Sequence, residues 1–142
     1  MPMNILLLNG PNLNLLGERE PEIYGKTTLA ELEQMVLARA KELGHTVRAF
    51  QSNHEGALID ELHRARGWAN GVIFNPGAFT HYSYALRDAI AATKLRVVEV
   101  HLSDITRREA WRRVSVVEEV CAHRVMGKGT AGYLEALEWL LR

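Results

Sequence analysis

Two side chains in the sequence could exchange protons with a substrate. Tyr24 follows Arg19 by five residues in the segment GEREPEIYG (residues 17–25), and His101 ends the apolar run VVEVH. A tyrosine ordinarily has a pKa of about 10, so a close cation must stabilise its phenolate before it can act as a base near neutrality. A histidine titrates near neutrality without such help. These residues predict general acid–base chemistry, with the arginine assisting the tyrosine.

Other catalytic chemistries have weaker signatures. Ser103, His101 and Asp104 are the residue types of a hydrolase triad, but residues so close in sequence rarely form one, and no G-x-S-x-G elbow is present. Lys128, in the loop GKGTAG, could form a Schiff base, although a solvated loop lysine is the favoured interpretation. The six histidines and the single cysteine show no metal-ligand spacing, so no metal site is predicted.

The tyrosine and the arginine lie in a long segment without regular periodicity, residues 10–27. Irregular loops of more than about 12–15 residues are uncommon in compact domains and are usually lids, binding loops or disordered. We expect residues 17–27 to form a lid over the active site. The alternative is that Tyr24 only packs the loop onto the domain.

Apolar runs of strand length alternate with amphipathic segments of helical length. The expected strands are residues 4–9, 45–51, 71–75, 96–101 and 123–127. The expected helices are residues 28–43, 55–66, 80–93, 105–113 and 131–142. Alternation of strand and helix predicts a single α/β domain over residues 1–142, with a parallel sheet covered on both faces. The expected strand order is the flavodoxin-like 2-1-3-4-5.

Polar side chains follow the expected strands at the same edge of the sheet. Asn12 comes after the first strand, Asn75 and His81 after the third, and His101 and Ser103 at the end of the fourth. In open α/β sheets, ligands bind beyond the carboxyl ends of the strands. The sequence therefore predicts the active site at this edge, from which the long loop also departs. Of the four arginines after Ser103, one or two could reach an anionic ligand.

Composition excludes several other classes of protein. The 142 residues include 17 basic and 17 acidic side chains, a balance that gives no support for binding nucleic acid or a membrane surface. No apolar run approaches the roughly 20 residues of a membrane span. The single Cys121 cannot form an internal disulfide, and the start of the chain lacks the basic segment of a signal peptide. We expect a cytoplasmic protein.

Four groups of residues resemble type II 3-dehydroquinases (3-dehydroquinate dehydratases). They are GPNLNLLG at 10–17, REP with YG at 19–21 and 24–25, NPGA with TH at 75–78 and 80–81, and VHLS at 100–103. The resemblance extends over the whole chain. It implies a flavodoxin-like fold, no metal or cofactor, and a dodecamer built from trimers. It also implies anti elimination of water from 3-dehydroquinate through an enolate, giving 3-dehydroshikimate in the shikimate pathway of aromatic amino-acid biosynthesis.

The resemblance also implies a role for each matching residue. Tyr24 is the base, Arg19 assists it, and His101, oriented by Glu99, is the acid. Asn12 holds the water that stabilises the enolate. The residues implied in substrate binding are Asn75, Leu102 and Ser103 for the carboxylate, His81 and Arg112 for ring hydroxyls, and Asp88 for the site of a neighbouring subunit. Four positions depart from the family pattern, namely Phe79, Tyr82, Asp104 and Val114.

Two non-enzymatic hypotheses are less favoured. A receiver-type binding domain of this fold class needs clustered acidic residues after the first strand to hold Mg²⁺. This chain has Asn9-Gly-Pro-Asn12 there, without a carboxylate. A structural protein with a decayed site would not be expected to keep Arg19, Tyr24 and His101 together.

Overall fold

The computed structural model describes residues 1–142 and contains one parallel sheet. Its strands are β1 (Asn4–Asn9), β2 (Thr46–Gln51), β3 (Gly71–Asn75), β4 (Val97–His101) and β5 (His123–Met126). Neighbouring strands pair in the order β2-β1-β3-β4-β5, and every pair is parallel. The predicted fold class and strand order are confirmed. β1 and β3 carry continuous apolar runs because both of their faces are covered, whereas β4 includes the buried Glu99 among its valines.

Four of the five helices cover the two faces of the sheet. The helices are α1 (Pro21–Tyr24, a single turn), α2 (Leu29–Glu42), α3 (Glu55–Ala65), α4 (Tyr84–Thr93) and α5 (Ala131–Leu140). Short 3₁₀ turns lie at Leu13–Leu15, Gly77–His81, Ile105–Arg107, Ala110–Arg112 and Glu118–Val120. A capping box begins α2, since Thr28 and Glu31 each bond the backbone N–H of the other. No helix combines the length and the apolar composition that a membrane span requires.

The alternating side chains of β1 divide the core into two layers. Ile5 and Leu7 pack with α2 and α5 in one layer. Leu6 and Leu8 pack with α3 and α4 in the other. All four leucine and isoleucine side chains are fully buried. Burying such a side chain stabilises the fold by about 1.5–3 kcal/mol, so these layers hold the sheet edge in place.

The expected helix over residues 80–93 is wrong at its beginning. Residues 77–81 form a 3₁₀ turn, and α4 begins at Tyr84 with Ser83 as its N-cap. Thr80 lies within that turn, and its hydroxyl donates to the carboxylate of Glu99 at 2.6 Å, a partner 19 residues away. Local periodicity does not encode this bond.

Two further predictions of local structure are corrected. Residues 105–113 form two separate 3₁₀ turns rather than a helix, and Ile105 is their only buried side chain, too little apolar surface to hold a helix against the sheet. The segment 10–27 is not wholly irregular, because it contains a 3₁₀ turn and α1. The helical turn of α1 positions Tyr24 at its end.

The loops after β1 and β3 touch through their backbones. Gly10 donates its N–H to the carbonyl of Asn75 at 2.8 Å. A Cβ at Gly10 would lie 2.5 Å from the carbonyl oxygen of Pro76, which is closer than such atoms ever approach. Glycine is therefore required at position 10 to bring the two loops together.

Candidate active site

A cavity lies at the carboxyl edge of the sheet, between the strand ends and the loop over residues 10–27. Nine of the eleven predicted site residues line it, namely Asn12, Arg19, Tyr24, Asn75, His81, His101, Leu102, Ser103 and Arg112. The two others do not. Glu99 lies fully buried beneath His101, and Asp88 is exposed on α4 away from the cavity.

His101 is held by a buried carboxylate. Its Nε2 lies 2.5 Å from Oε2 of Glu99, and the carboxylate can only accept, so Nε2 carries the proton. The other ring nitrogen, Nδ1, has no partner within the chain. This leaves Nδ1 as the atom that can pass a proton to or from a ligand in the cavity. A carboxylate behind the ring also stabilises the imidazolium form that an acid requires.

The charge of Glu99 is maintained by three donors on one oxygen. Thr80 and Ser115 donate their hydroxyls to Oε2 at 2.6 and 2.8 Å, beside the bond from His101. Burial alone would raise the pKa of Glu99, but these hydrogen bonds outweigh it, so the pKa is lowered from its usual 4.5. Its other oxygen, Oε1, is buried and has no partner.

Tyr24 lies beside two arginines. Arg108 Nη1 donates to the Tyr24 hydroxyl at 3.2 Å and to Ser103 Oγ at 3.1 Å. Arg19 lies over the ring face, with its Cζ 5.1 Å from the ring centroid. Arg108 is therefore the cation in direct contact with the phenolic oxygen. Burial would lower the pKa of Arg108, but the contacts with Tyr24 and Glu109 raise it overall, so the guanidinium stays charged.

The structure distinguishes the four arginines that follow Ser103. Arg108 and Arg112 line the cavity, with side chains only 15% and 18% exposed. Arg107 has a side chain that is 87% exposed, and Arg113 is also exposed. Sequence reasoning identified the group but did not select Arg108, because the two 3₁₀ turns that aim these side chains have no periodic signature.

The ends of β3 and β4 present hydrogen-bond donors to the cavity. Oδ1 of Asn75 accepts from the N–H of Gly77 at 3.0 Å, which turns the amide nitrogen of Asn75 away from that turn. The backbone N–H groups of Leu102 and Ser103 donate to no acceptor within the chain. Converging unpaired donors of this kind can hold a carboxylate or another anionic group.

His81 and Arg112 line the opposite side of the cavity. Nδ1 of His81 lies 2.7 Å from the carbonyl oxygen of Val114, so it carries the proton and Nε2 is free to accept. Burial lowers the pKa of His81, which favours this neutral form. Val114 takes part through its backbone, so its departure from the family pattern removes nothing from this contact.

Asn12 has a left-handed backbone conformation with φ of 70°, which asparagine tolerates better than most residues. Its N–H donates to Oδ1 of Asn53 at 2.9 Å, and Gln51 donates to the same oxygen. Its own side chain makes no hydrogen bond within the chain. The loop after β2 thus positions the backbone of Asn12 and leaves its amide free for a ligand.

The alternative chemistries receive no geometric support. Ser103 bonds Arg108, and Asp104 bonds Thr106, so neither is joined to His101 as a triad requires. Lys128 is exposed and paired with Glu135 outside the cavity. No group of three or more histidine, cysteine, aspartate or glutamate side chains is placed to hold a metal ion.

The chain is similar to known proteins along nearly its whole length. The sequence model of the family "Dehydroquinase class II" matches residues 3–141. The 3-dehydroquinate dehydratase of Roseiflexus castenholzii is 54% identical over 140 residues, which are 98% of this chain and 88% of that protein. The catabolic 3-dehydroquinase 1 of Aspergillus terreus is 50% identical over 138 residues, 97% of this chain and 91% of that protein. The crystal structure of type II dehydroquinase from Butyrivibrio crossotus matches with a TM-score of 0.98 and 44% identity, over 99% of each chain.

Proposed function

Because the chain belongs to the class II dehydroquinase family, we propose that it removes water from 3-dehydroquinate by an anti elimination through an enolate, with Tyr24 as base and His101 as acid. Its activity is that of a 3-dehydroquinate dehydratase, a hydro-lyase. The observation that carries the assignment of roles is the cavity itself. It holds a tyrosine bonded to an arginine and a histidine bonded to a buried carboxylate.

In the first step, Tyr24 as phenolate removes the proton from the carbon next to the ketone, and the electron pair moves into the carbonyl to form the enolate. Arg108 and Arg19 stabilise the phenolate, Arg108 through its hydrogen bond and Arg19 over the ring. Residues 17–27 act as a lid that brings Tyr24 and Arg19 over the substrate. The enolate oxygen is stabilised by a water molecule held by the free amide of Asn12.

In the second step, the enolate collapses and the carbon–oxygen bond to the leaving hydroxyl breaks. His101 gives its Nδ1 proton to that hydroxyl, which departs as water and leaves the conjugated ketone. Glu99 orients the ring and stabilises the imidazolium before transfer. The tyrosine takes one proton and the histidine supplies one. The enzyme returns to its starting protonation state when Tyr24 loses a proton to solvent and His101 takes one from it.

The substrate is held by groups at the strand ends. Asn75 and the N–H groups of Leu102 and Ser103 bind its carboxylate, since each offers an N–H that has no acceptor within the chain. His81 and Arg112 bind ring hydroxyls. His81 as an acceptor and Arg112 as a donor suit a hydroxyl, which both donates and accepts.

The deciding experiment is an absorbance assay with 3-dehydroquinate, which follows the conjugated product. We expect turnover by the untreated protein, and unchanged turnover after treatment with a chelator. Borohydride added with substrate should trap no adduct, since no imine forms on Lys128. Inhibition by the chelator or a trapped adduct would contradict the proposed mechanism.

We propose that the reaction serves the shikimate pathway of aromatic amino-acid biosynthesis. Similarity alone does not separate this role from a catabolic one, because relatives of both names match the chain. Deleting the gene in its native host should create a requirement for aromatic amino acids. A host that keeps its aromatic prototrophy but loses growth on quinate would assign the enzyme to catabolism.

We propose a dodecamer of trimers in which Asp88 reaches the active site of a neighbouring subunit. Its position supports this, since it is exposed on α4 and outside the cavity of its own chain. Sedimentation of the active enzyme should show a large assembly, and Asp88→Asn should lower activity without unfolding the chain. A stable active monomer would contradict the proposal. A cytoplasmic location, expected from the unpaired Cys121, stays a prediction.

A further inference from the structure

A chain of three buried polar side chains runs beneath the cavity, from α5 to the ends of β1 and β3. The Tyr133 hydroxyl donates to Oδ1 of Asn9 at 2.7 Å. Nδ2 of Asn75 donates to the same hydroxyl at 2.9 Å. Tyr133 and Asn9 are fully buried and do not line the cavity, whereas Asn75 does.

The direction of these bonds follows from what each group can do. A hydroxyl has one proton, and Tyr133 gives it to Asn9, so it can only accept from Asn75. Burial raises the pKa of Tyr133, so that proton stays in place across the working range of pH. Gly77 N–H, which can only donate, occupies Oδ1 of Asn75. Asn75 is thereby left with one unpaired amide N–H, while its oxygen is turned toward Gly77.

The hydrogen bond that Asn9 accepts from Tyr133 comes with a cost in folding stability. Its Nδ2 is buried and has no partner in the protein. An unsatisfied buried donor destabilises a fold, and an apolar side chain of similar size would avoid the penalty. Turning the amide would satisfy Nδ2 but would place two donors on the Tyr133 oxygen and leave the hydroxyl proton without an acceptor. The hydrogen bond from Tyr133 therefore requires Asn9 to present its amide oxygen.

We propose that Tyr133 and Asn9 are positioning residues that hold the amide of Asn75 with its N–H toward the anionic group of the substrate. Their function is substrate recognition through Asn75, which makes the subsite selective for an anion over a neutral amide. This inference rests on the proposed role of Asn75 in binding the carboxylate.

The test is Tyr133→Phe, which removes one buried oxygen and keeps the ring in the core. KM for 3-dehydroquinate should rise about five- to twentyfold with kcat nearly unchanged, because an interaction made equally in the ground state and the transition state is weakened. The preference for a substrate-like inhibitor bearing a carboxylate over its carboxamide counterpart should fall by a similar factor. A variant that keeps the wild-type KM and this preference would overturn the inference.

Two further variants separate this role from a merely structural one. Leu137→Val, one turn later on α5 and equally buried, should lower stability without moving KM. In an Asn75→Ala background, Tyr133→Phe should raise KM no further, since the side chain it positions is absent. Additive effects would overturn the inference. If Asn75→Ala leaves KM unchanged, both the proposed role of Asn75 in binding the carboxylate and the positioning role of Tyr133 fail. If Asn75→Ala raises KM and Tyr133→Phe does not, only the positioning role fails.

Discussion

The two walls of the cavity are built differently. The sheet wall, Asn75 and His101 with their partners, is buried: Asn75 is 4% and His101 6% exposed. The loop wall consists of Tyr24 and the arginines around it, and the Arg19 side chain is 35% exposed. Side chains of the sheet wall are bonded to buried groups below them, whereas Tyr24 bonds only Arg108, another residue of a loop.

This difference separates the functions of the two walls. The hydrogen-bonded side chains of the sheet wall are buried and held in place before any ligand arrives, so the proposed acid and the proposed anion-binding donors are preorganised. Exposed loop segments open locally at lower free energy than a buried sheet does. With the proposed roles, the enzyme keeps the acid fixed on the sheet and delivers the base from a loop.

The largest expected effect is on the loop wall. Tyr24→Phe removes one oxygen and should lower kcat by about 10²–10⁴-fold, because the variant lacks the proposed base. Affinity for a substrate-like inhibitor, measured by calorimetry, should change little. Turnover near the wild-type value would mean that the tyrosine only packs the loop. The proposed division of roles between the two walls would then be wrong.

His101→Ala on the sheet wall should lower kcat by about 10²–10³-fold while inhibitor binding persists. The effect is smaller because water in the enlarged cavity can still protonate the leaving hydroxyl. Steady-state kinetics on the purified variant measures it. Full turnover would reassign the acid and leave the Glu99–His101 pair without a catalytic purpose.

Removing a cation from the loop wall should lower turnover. Arg108→Met should lower kcat at neutral pH by about ten- to a hundredfold, because Tyr24 loses its bonded donor. Arg19→Met should do the same to a smaller extent, since Arg19 lies over the ring rather than at the oxygen. Arg107→Met is the matched control and should leave kcat unchanged, as its side chain is exposed to solvent.

The smallest effect concerns stability rather than turnover. The pKa of Glu99 is lowered from 4.5 in the folded chain, so its contribution to stability is complete above that pH and is lost as the pH falls through the lowered value. Glu99→Gln lacks this titration. Urea unfolding at one protein concentration should show wild type losing more free energy of unfolding than Glu99→Gln between pH 6 and pH 3. Equal losses would mean that the carboxylate is not charged in the fold.

Sequence reasoning reached most of the elements and most residues lining the cavity. Apolar periodicity located all five strands, and the edge rule placed Asn75, His81 and His101 together. Sequence reasoning failed where a distant hydrogen-bond partner determines the local structure. The helix expected over residues 80–93 begins only at Tyr84, and Thr80 bonds Glu99 across 19 residues. Arg108 was not singled out, because the aperiodic turns after β4 determine which arginine enters the cavity.

The sequence by itself determined the alternation of strands and helices, the edge of the sheet at which the cavity lies, and the residue types of the proposed acid and base. These follow from local propensity, from apolar spacing and from the geometry of parallel sheets, all of which act over short stretches of chain. The tertiary structure alone decided the partners: Arg108 on Tyr24, Thr80 and Ser115 on Glu99, and Tyr133 between Asn9 and Asn75. Buried polar groups must be satisfied wherever packing places a partner, and no local pattern encodes a bond that joins residues 124 positions apart.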